Sequence, residues 1–92
     1  MRERNVTAPN WAPLEQFGAQ AQEAGHELDL NDFMWMHGEE LPGPSGLRWL
    51  AAYKHLDTRR YIFLDGEARP YALADGAARP QSPEEAIGWV LS

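Results

Sequence analysis

Residues 53–65 read Tyr-Lys-His-Leu-Asp-Thr-Arg-Arg-Tyr-Ile-Phe-Leu-Asp, and the predicted sheet is built around them. Its second half, residues 61–64, consists of aromatic and apolar residues that are typical of β-strands. The polar segment before it, residues 57–60, is typical of a turn. We therefore predict an antiparallel hairpin whose four-residue type I turn places Arg59 and Arg60 at an exposed tip.

The strand predicted over residues 61–64 is apolar on both of its faces. Because side chains alternate along a strand, Tyr61 and Phe63 share one face while Ile62 and Leu64 share the other. A strand that is apolar on both faces is typical of the middle of a sheet, covered on both sides. We expect this strand to be central.

The segment before the turn, residues 47–56, has two interpretations. As a helix, it places Trp49, Tyr53 and Leu56 on one face. As a strand, it places Trp49, Ala51, Tyr53 and His55 on one face. We favour the strand because it forms an antiparallel hairpin with residues 61–64.

A helix is predicted at each end of the chain. The first begins at Asn10, a favourable N-cap residue, and ends at Gly25, with apolar residues recurring every three or four positions. Gly18 inside it indicates close packing against a neighbouring element. The second begins at Ser82, where the order Ser-Pro-Glu-Glu matches a capping box with proline in the first turn. Its Trp89 is predicted to be a core residue.

Two further strands are predicted, at residues 33–36 and 71–74, from short apolar runs bounded by turn residues. Residues 38–46 hold three glycines and two prolines, so we expect a loop there. Residues 77–81 are expected to form a linker before the second helix.

These elements predict a single α+β domain over residues 10–92, preceded by a flexible leader at residues 1–9. The domain is expected to contain a small antiparallel sheet of three to four strands. An N-terminal and a C-terminal helix would flank the sheet and cover it, because a helix of about ten residues is only marginally stable alone.

The composition of the chain predicts its compartment and excludes some chemistry. Of 92 residues, 43% are hydrophobic and 24% charged, which is typical of one folded domain. Cysteine is absent, which excludes disulfides and thiolate metal sites. No apolar run is long enough for a signal peptide or a membrane span. The chain also prefers Arg over Lys, which is typical of GC-rich genomes. From these features together, we predict that the protein is bacterial, cytoplasmic and without membrane contact.

Charge is distributed unevenly along this chain of net charge −6. Residues 5–47 contain seven carboxylates and no Lys or Arg, whereas residues 48–60 contain four basic side chains and only one carboxylate. We predict an acidic side and a basic strip. The candidate binding residues are Leu41, Arg48, Trp49, Lys54, His55, Arg59 and Arg60.

Two of these candidates are apolar, and each has a second interpretation. Leu41 is the apolar residue of the expected loop at residues 38–46, and it either contacts a partner or folds back onto the core. Trp49 lies beside Arg48, a combination typical of interface hot spots, but a core position is the favoured interpretation.

The order Tyr53-Lys-His-x-Asp-Thr-Arg-Arg-Tyr-Ile-x-Leu-Asp65, preceded by Phe33-Met-Trp-Met36, resembles a pattern in small bacterial proteins of unassigned function. In those proteins the segment is hairpin-like, so the resemblance implies the same hairpin here. It covers at most residues 33–65 and implies no activity, cofactor or binding role.

The leading functional hypothesis is a non-catalytic protein-interaction or regulatory module. It would contact an acidic partner through the basic hairpin around Arg59 and Arg60, because Arg suits bidentate recognition of carboxylates. One alternative is a nucleic-acid-binding module using the same hairpin, with Tyr53 and Tyr61 stacking on bases. The negative net charge opposes that alternative.

The other alternative is a small enzyme or metal-binding protein in which His37 and His55 meet across neighbouring strands with one carboxylate. The sequence contains no nucleophile elbow, glycine-rich phosphate loop or paired-histidine motif. We therefore predict no catalytic residue, bound metal or cofactor, and the sequence leaves the oligomeric state open.

Overall fold

The computed structural model describes residues 9–44 and 46–92, so the predicted leader falls outside the described residues except for Pro9. A helix precedes a five-stranded sheet and a second helix follows it. The elements are α1 (Ala12–Glu23), a short 3-10 helix (Leu30–Asp32), β1 (Phe33–Gly43), β2 (Gly46–His55), β3 (Tyr61–Leu64), β4 (Pro70–Ala74), β5 (Ala77–Pro80) and α2 (Pro83–Leu91). No helix in these ranges is both long and apolar enough to cross a membrane.

The sheet is antiparallel and its strands follow chain order, β1-β2-β3-β4-β5. The prediction of an α+β fold with one helix at each end is confirmed, and β3 is the central strand as expected. The predicted strand number of three to four is wrong, because the sheet has five.

The additional strand is β5, which the sequence predicted to be part of a linker. It pairs with β4 from Ala74 opposite Ala77 to Tyr71 opposite Pro80. Its short run of Ala, Arg and Pro lacks the branched and aromatic residues that reveal a strand. The sequence signal for this strand lies in the turn before it. Asp75 and Gly76 both have positive φ, as in a two-residue hairpin turn.

The loop predicted for residues 38–46 is also wrong over most of its length. β1 continues to Gly43, which pairs with Gly46 at the start of β2, so these strands form one long hairpin. Pro42 is tolerated because β1 is an edge strand, where one row of backbone N–H groups has no strand partner. Ser45 lies outside the described residues.

Other local predictions are confirmed. Residues 46–55 form a strand rather than a helix, and β2 and β3 form the predicted hairpin. The capping box is complete, because Ser82 Oγ accepts from the backbone N–H of Glu85 and Glu85 Oε1 accepts from the backbone N–H of Ser82. A Cβ on Gly18 would lie only 3.1 Å from Leu30 Cδ2, which is the close packing expected there.

Both helices pack on the same face of the sheet. The main core combines apolar residues of α1 and α2 with one face of the central strands: Leu14, Phe17, Ala21, Phe33, Ala51, Tyr53, Ile62, Leu64, Ala68, Ala86, Ile87 and Val90. Tyr53 is fully buried in it and donates its hydroxyl to the carbonyl of Asn10 at 2.6 Å. The rings of Trp11 and Trp35 lie 5.7 and 5.6 Å from the Tyr53 ring. Burial of this aromatic cluster fixes α1 on the sheet.

In the part of the chain that the structure describes, no helix lies over the opposite face of the sheet, which is instead curled inwards. Several Cα atoms of β1 and β5 lie within 8 Å of one another, although these edge strands are not hydrogen-bonded. A second, smaller apolar cluster lies inside this curl and consists of Leu41, Leu50, Phe63, Tyr71 and Ala78. The curled sheet therefore forms a half-barrel.

Burial of Tyr53 gives a testable pH dependence, because loss of hydration raises its pKa to about 12 from an ordinary value near 10. The unfolded chain loses this proton first, so the contribution to stability is complete below pH 10 and lost as pH rises to about 12. The expected loss is on the order of 2 to 3 kcal/mol.

Urea unfolding of the wild-type chain and Tyr53→Phe, measured from pH 9 to pH 12, isolates this group because all other titrating groups are shared. We expect the stability advantage of the wild type to shrink over that interval and then reverse. A difference between the two proteins that stays constant across the interval would contradict the expectation.

Candidate binding site on the open face of the sheet

The curled face of the sheet holds a cleft of about 600 Å³ that is open to solvent. That volume is typical of ligand pockets in proteins. Its wall is mainly aromatic and apolar, with charged groups at the rim: His37, Glu39, Arg59, Arg60, Tyr61, Phe63, Tyr71, Ala72, Leu73, Gln81 and Trp89. The cleft lies on the face of the sheet opposite the main core, and Trp89 of α2 reaches its edge.

Strand register explains why residues from three strands meet in the cleft. His37 lies opposite Ala52, Ala52 lies opposite Phe63, and Phe63 lies opposite Tyr71. Directly opposed residues in antiparallel strands project from the same face. This row therefore crosses β1 to β4 on the uncovered face.

A β-bulge in β1 directs His37 into the cleft. The register with β2 shifts between Trp35 and His37, so that Met36 has no partner. In a regular strand, residues two apart share a face, and His37 would then face the helices beside Trp35. The extra residue moves His37 and Glu39 to the opposite face, which is a known use of bulges.

One rim of the cleft is a cation stacked on an aromatic ring. The guanidinium carbon of Arg60 lies 3.8 Å from the ring centroid of Trp89, a cation–π contact. Trp89 is 51% exposed, so its prediction as a core residue is wrong. In α2 the buried residues are Ala86, Ile87 and Val90, and Trp89 lies beside that apolar stripe rather than within it.

The loop between β2 and β3 is attached directly to α2. Thr58 Oγ1 donates to the carbonyl of Val90 at 2.6 Å and accepts from the backbone N–H of Arg60. Arg59 has a left-handed backbone with φ 65° and an exposed side chain. The loop therefore holds both arginines beside the cleft in a defined position.

The two ends of the cleft carry charges of opposite sign. Tyr61, next to Arg60, pairs with Lys54, whereas Glu39 pairs with Leu50 four residues away along β2. At about 3.3 Å per residue, the positions of Tyr61 and Glu39 are therefore roughly 13 Å apart along β2. Glu39 contacts His37, with Nε2 and Oε1 3.2 Å apart.

Within residues 9–44 and 46–92, no carboxylate forms an ion pair with Arg59 or Arg60. One end of the cleft is therefore cationic, and the other carries a carboxylate.

Directly after β3, the buried carboxylate of Asp65 joins three segments. Its Oδ1 accepts from the backbone N–H groups of Glu67 and Arg69, both at 2.9 Å. Its Oδ2 accepts from the Tyr71 hydroxyl at 3.1 Å and from Arg48 Nη1 at 3.4 Å. A buried carboxylate requires such partners to offset its lost hydration. Asp65 therefore shapes the β3–β4 turn and ties it to β2.

Tyr71 connects this cluster to the cleft, since its ring lines the cleft wall. Burial, followed by the hydrogen bond to Asp65, raises the pKa of the Tyr71 hydroxyl. The hydroxyl therefore stays protonated and donates to the carboxylate. Tyr71 contributes an apolar ring to the cleft wall, because its hydroxyl is already hydrogen-bonded to Asp65.

Only some of the sequence-predicted binding residues lie at the cleft. Arg59 and Arg60 line it, and Lys54 lies on the same face of β2, beside Tyr61. Leu41 is half-buried in the smaller apolar cluster, which agrees with its interpretation as a residue folded back onto the core. Arg48 is engaged by Asp65.

The remaining two candidates have structural contacts. His55 is buried and its Nδ1 accepts from the backbone N–H groups of Asp57 and Thr58, both at 3.3 Å. It therefore shapes the loop that carries the arginines. Trp49 lies across Gly38, where a Cβ would be 2.7 Å from Cζ2 of the indole. The glycine is required by this close approach.

His37 and His55 do not meet. His55 lies opposite Phe33 and faces the helices, whereas the bulge places His37 on the cleft face. One metal ion cannot contact both side chains through the sheet. Across the described part of the chain, no three His, Asp or Glu side chains are grouped to hold a metal ion.

Most aromatic residues of the cleft wall were not predicted as site residues, and Tyr61 was named only in the nucleic-acid alternative. Tyr61 and Phe63 were assigned to a covered face, because their alternation does not reveal which face a helix covers. Tyr71 and Leu73 sit in a strand whose residues give no functional signal. Only Trp89 had a usable signal, namely its position beside the stripe formed by the buried residues of α2.

Replacement of Asp65 tests its role in the β3–β4 turn. Asp65→Ala leaves two backbone N–H groups and the Tyr71 hydroxyl without their acceptor, and we expect a loss of about 3 kcal/mol or more in unfolding free energy. The control is Glu67→Ala in the same turn. It removes an exposed ion pair with Arg69 and should cost less than about 1 kcal/mol. Equal losses in urea unfolding would contradict the assignment.

No family model matches this chain, and neither a curated protein nor a solved structure is similar to it. No function is therefore transferred to the protein from a relative. The geometry and charge of the cleft are the guides to its function.

Proposed function

We propose that the protein is a non-catalytic binding module that recognises an acidic segment of another protein through Arg59 and Arg60. The observation that carries the proposal is the guanidinium of Arg60 stacked on Trp89 at 3.8 Å, at the rim of an aromatic cleft. Stacking occupies the face of a guanidinium and leaves its N–H edge available. That edge donates two parallel hydrogen bonds to a carboxylate.

The attachment of the loop to α2 favours binding, because it lowers the entropic cost of ordering the arginines. Long side chains lose rotamer freedom when they bind, which costs about 0.5 to 1.5 kcal/mol each. Arg60 is already held by the Trp89 ring, and the Thr58–Val90 hydrogen bond holds the loop beneath it. Part of this cost is therefore met during folding.

Charge favours a carboxylate ligand over a phosphate backbone. Nucleic-acid binding draws on many cations at once, because affinity rises with the number of phosphates neutralised. The cleft face has Arg59, Arg60 and Lys54 on one side but Glu39 on the other, within a chain of net charge −6. A short acidic segment fits a small cationic end better than a long polyanion does.

A peptide library tests the proposal. Random twelve-residue peptides displayed on phage should be enriched in Asp and Glu when they are selected on the wild-type chain. Binding of a selected peptide should weaken at least tenfold in the double variant Arg59→Glu, Arg60→Glu, since each charge-assisted hydrogen bond contributes about 1.5 to 3 kcal/mol.

The matched control is Arg79→Glu, which reverses charge at an exposed residue of β5 that does not line the cleft. It should keep most of the affinity, and unchanged urea unfolding would show that all variants are folded. Absence of acidic enrichment would overturn the proposal. A preference for a fluorescent dT12 oligonucleotide, with affinity falling steeply with salt, would instead support nucleic-acid binding.

A further inference from the structure

We infer that the acidic segment carries a large apolar side chain two residues from its carboxylate, and that this side chain enters the cleft beside Arg60. The inference rests on the proposed function and specifies its ligand. An acidic group alone would use only the rim of the cleft. The aromatic interior would then remain exposed to water.

The interior is suited to an apolar side chain. The rings of Tyr61 and Phe63 are stacked, with centroids 5.9 Å apart and an angle of 16° between their planes. Opposite them Leu73 is 43% exposed, although it lies on the curled face of the sheet. Burying a large aliphatic or aromatic side chain against these surfaces removes apolar area from water on both partners.

The spacing is set by the order of residues along β3. Arg60 immediately precedes Tyr61, and the centre of the Phe63 ring lies 5.9 Å beyond that of Tyr61. In an extended peptide, residues i and i+2 project from the same side, roughly 6.6 Å apart. A carboxylate at Arg60 therefore places the next side chain on that side over the Tyr61–Phe63 surface.

Charge at the far end of the cleft restricts the remaining residues of the ligand. Glu39 lies roughly 13 Å along the sheet from the level of Tyr61, which equals about four residues of an extended chain. A second carboxylate at that distance would face Glu39 and be repelled. The cleft therefore selects an acidic group at one end, a large apolar group in the middle and no acid at the far end.

Four short peptides test these statements by chemical-shift titration, which reports the Trp89 indole N–H separately. The parent is acetyl-Gly-Ser-Asp-Gly-Phe-Gly-Ser-Gly-amide. One relative replaces its Phe by Ala, one replaces its Asp by Asn, and one adds a second Asp four residues after the first. On the wild-type chain the parent should bind at least tenfold more tightly than the Phe-to-Ala peptide and more tightly than the peptide with two Asp.

A pair of leucine variants locates the apolar contact. Leu73→Gln should reduce the affinity gained from Phe several-fold while leaving binding of the Phe-to-Ala peptide unchanged. Leu47→Gln is the control, because Leu47 is 70% exposed on the β1–β2 hairpin and does not line the cleft. It should leave both affinities unchanged.

The outcomes separate this inference from the proposed function. If Phe adds no affinity but Asp-dependent binding persists and is lost in Arg60→Glu, the inference is overturned and the proposed function stands. If the Asp-to-Asn peptide binds as well as the parent, the proposed function is overturned while the apolar contact stands. Failure of all four peptides to bind would overturn both.

Discussion

Two helices cover one face of this sheet, and residues 9–44 and 46–92 form no third layer over the other. Tyr53, Ile62 and Leu64 are buried beneath those helices, whereas Tyr61, Phe63 and Tyr71 project from the opposite face. An apolar sheet face left flat in water would be unfavourable. The curl that brings β1 towards β5 shelters part of this face. The cleft is the part that the curl does not close.

Two local features shape the curled face. After β3, Asp65 joins β2 and β4 through Arg48 and Tyr71, so a buried charge holds the strands together. In β1, the bulge after Trp35 changes which side chains face inwards. Polar His37 and Glu39 then occupy a position where an apolar pair would have extended the core.

How much of the fold the sequence predicts depends on the kind of signal. The hairpin of β2 and β3 and the start of α2 were predictable, because the signals are local: a strand-forming run after a polar turn, and Ser82 with Glu85 three residues later. β5 was not, since Ala77–Pro80 becomes a strand only by pairing with β4. The glycines and prolines after His37 predicted a loop, because a pattern of turn residues does not show that Trp49 covers Gly38.

The candidate site was predictable only at its charged rim. Arg59 and Arg60 stand out in the sequence, because they follow a turn and lie in a cluster of positive charge. Their aromatic partner Trp89 is 29 positions away from Arg60, and no short-range pattern links the two. His55 was misleading for a related reason, since its basic neighbours suggest a surface although Phe33 and the loop bury it.

The contact between Arg60 and Trp89 also links binding to the stability of the C-terminal helix. With nine residues, α2 is too short to be stable in isolation, so it exists through its docking on the sheet. Local opening of such a terminal element requires less free energy than global unfolding. A ligand that touches the stacked pair binds only the docked form and thereby shifts the opening equilibrium. The stability of α2 against local opening then depends on whether a ligand occupies the cleft. Its backbone amides exchange with solvent more slowly as more of the cleft is occupied.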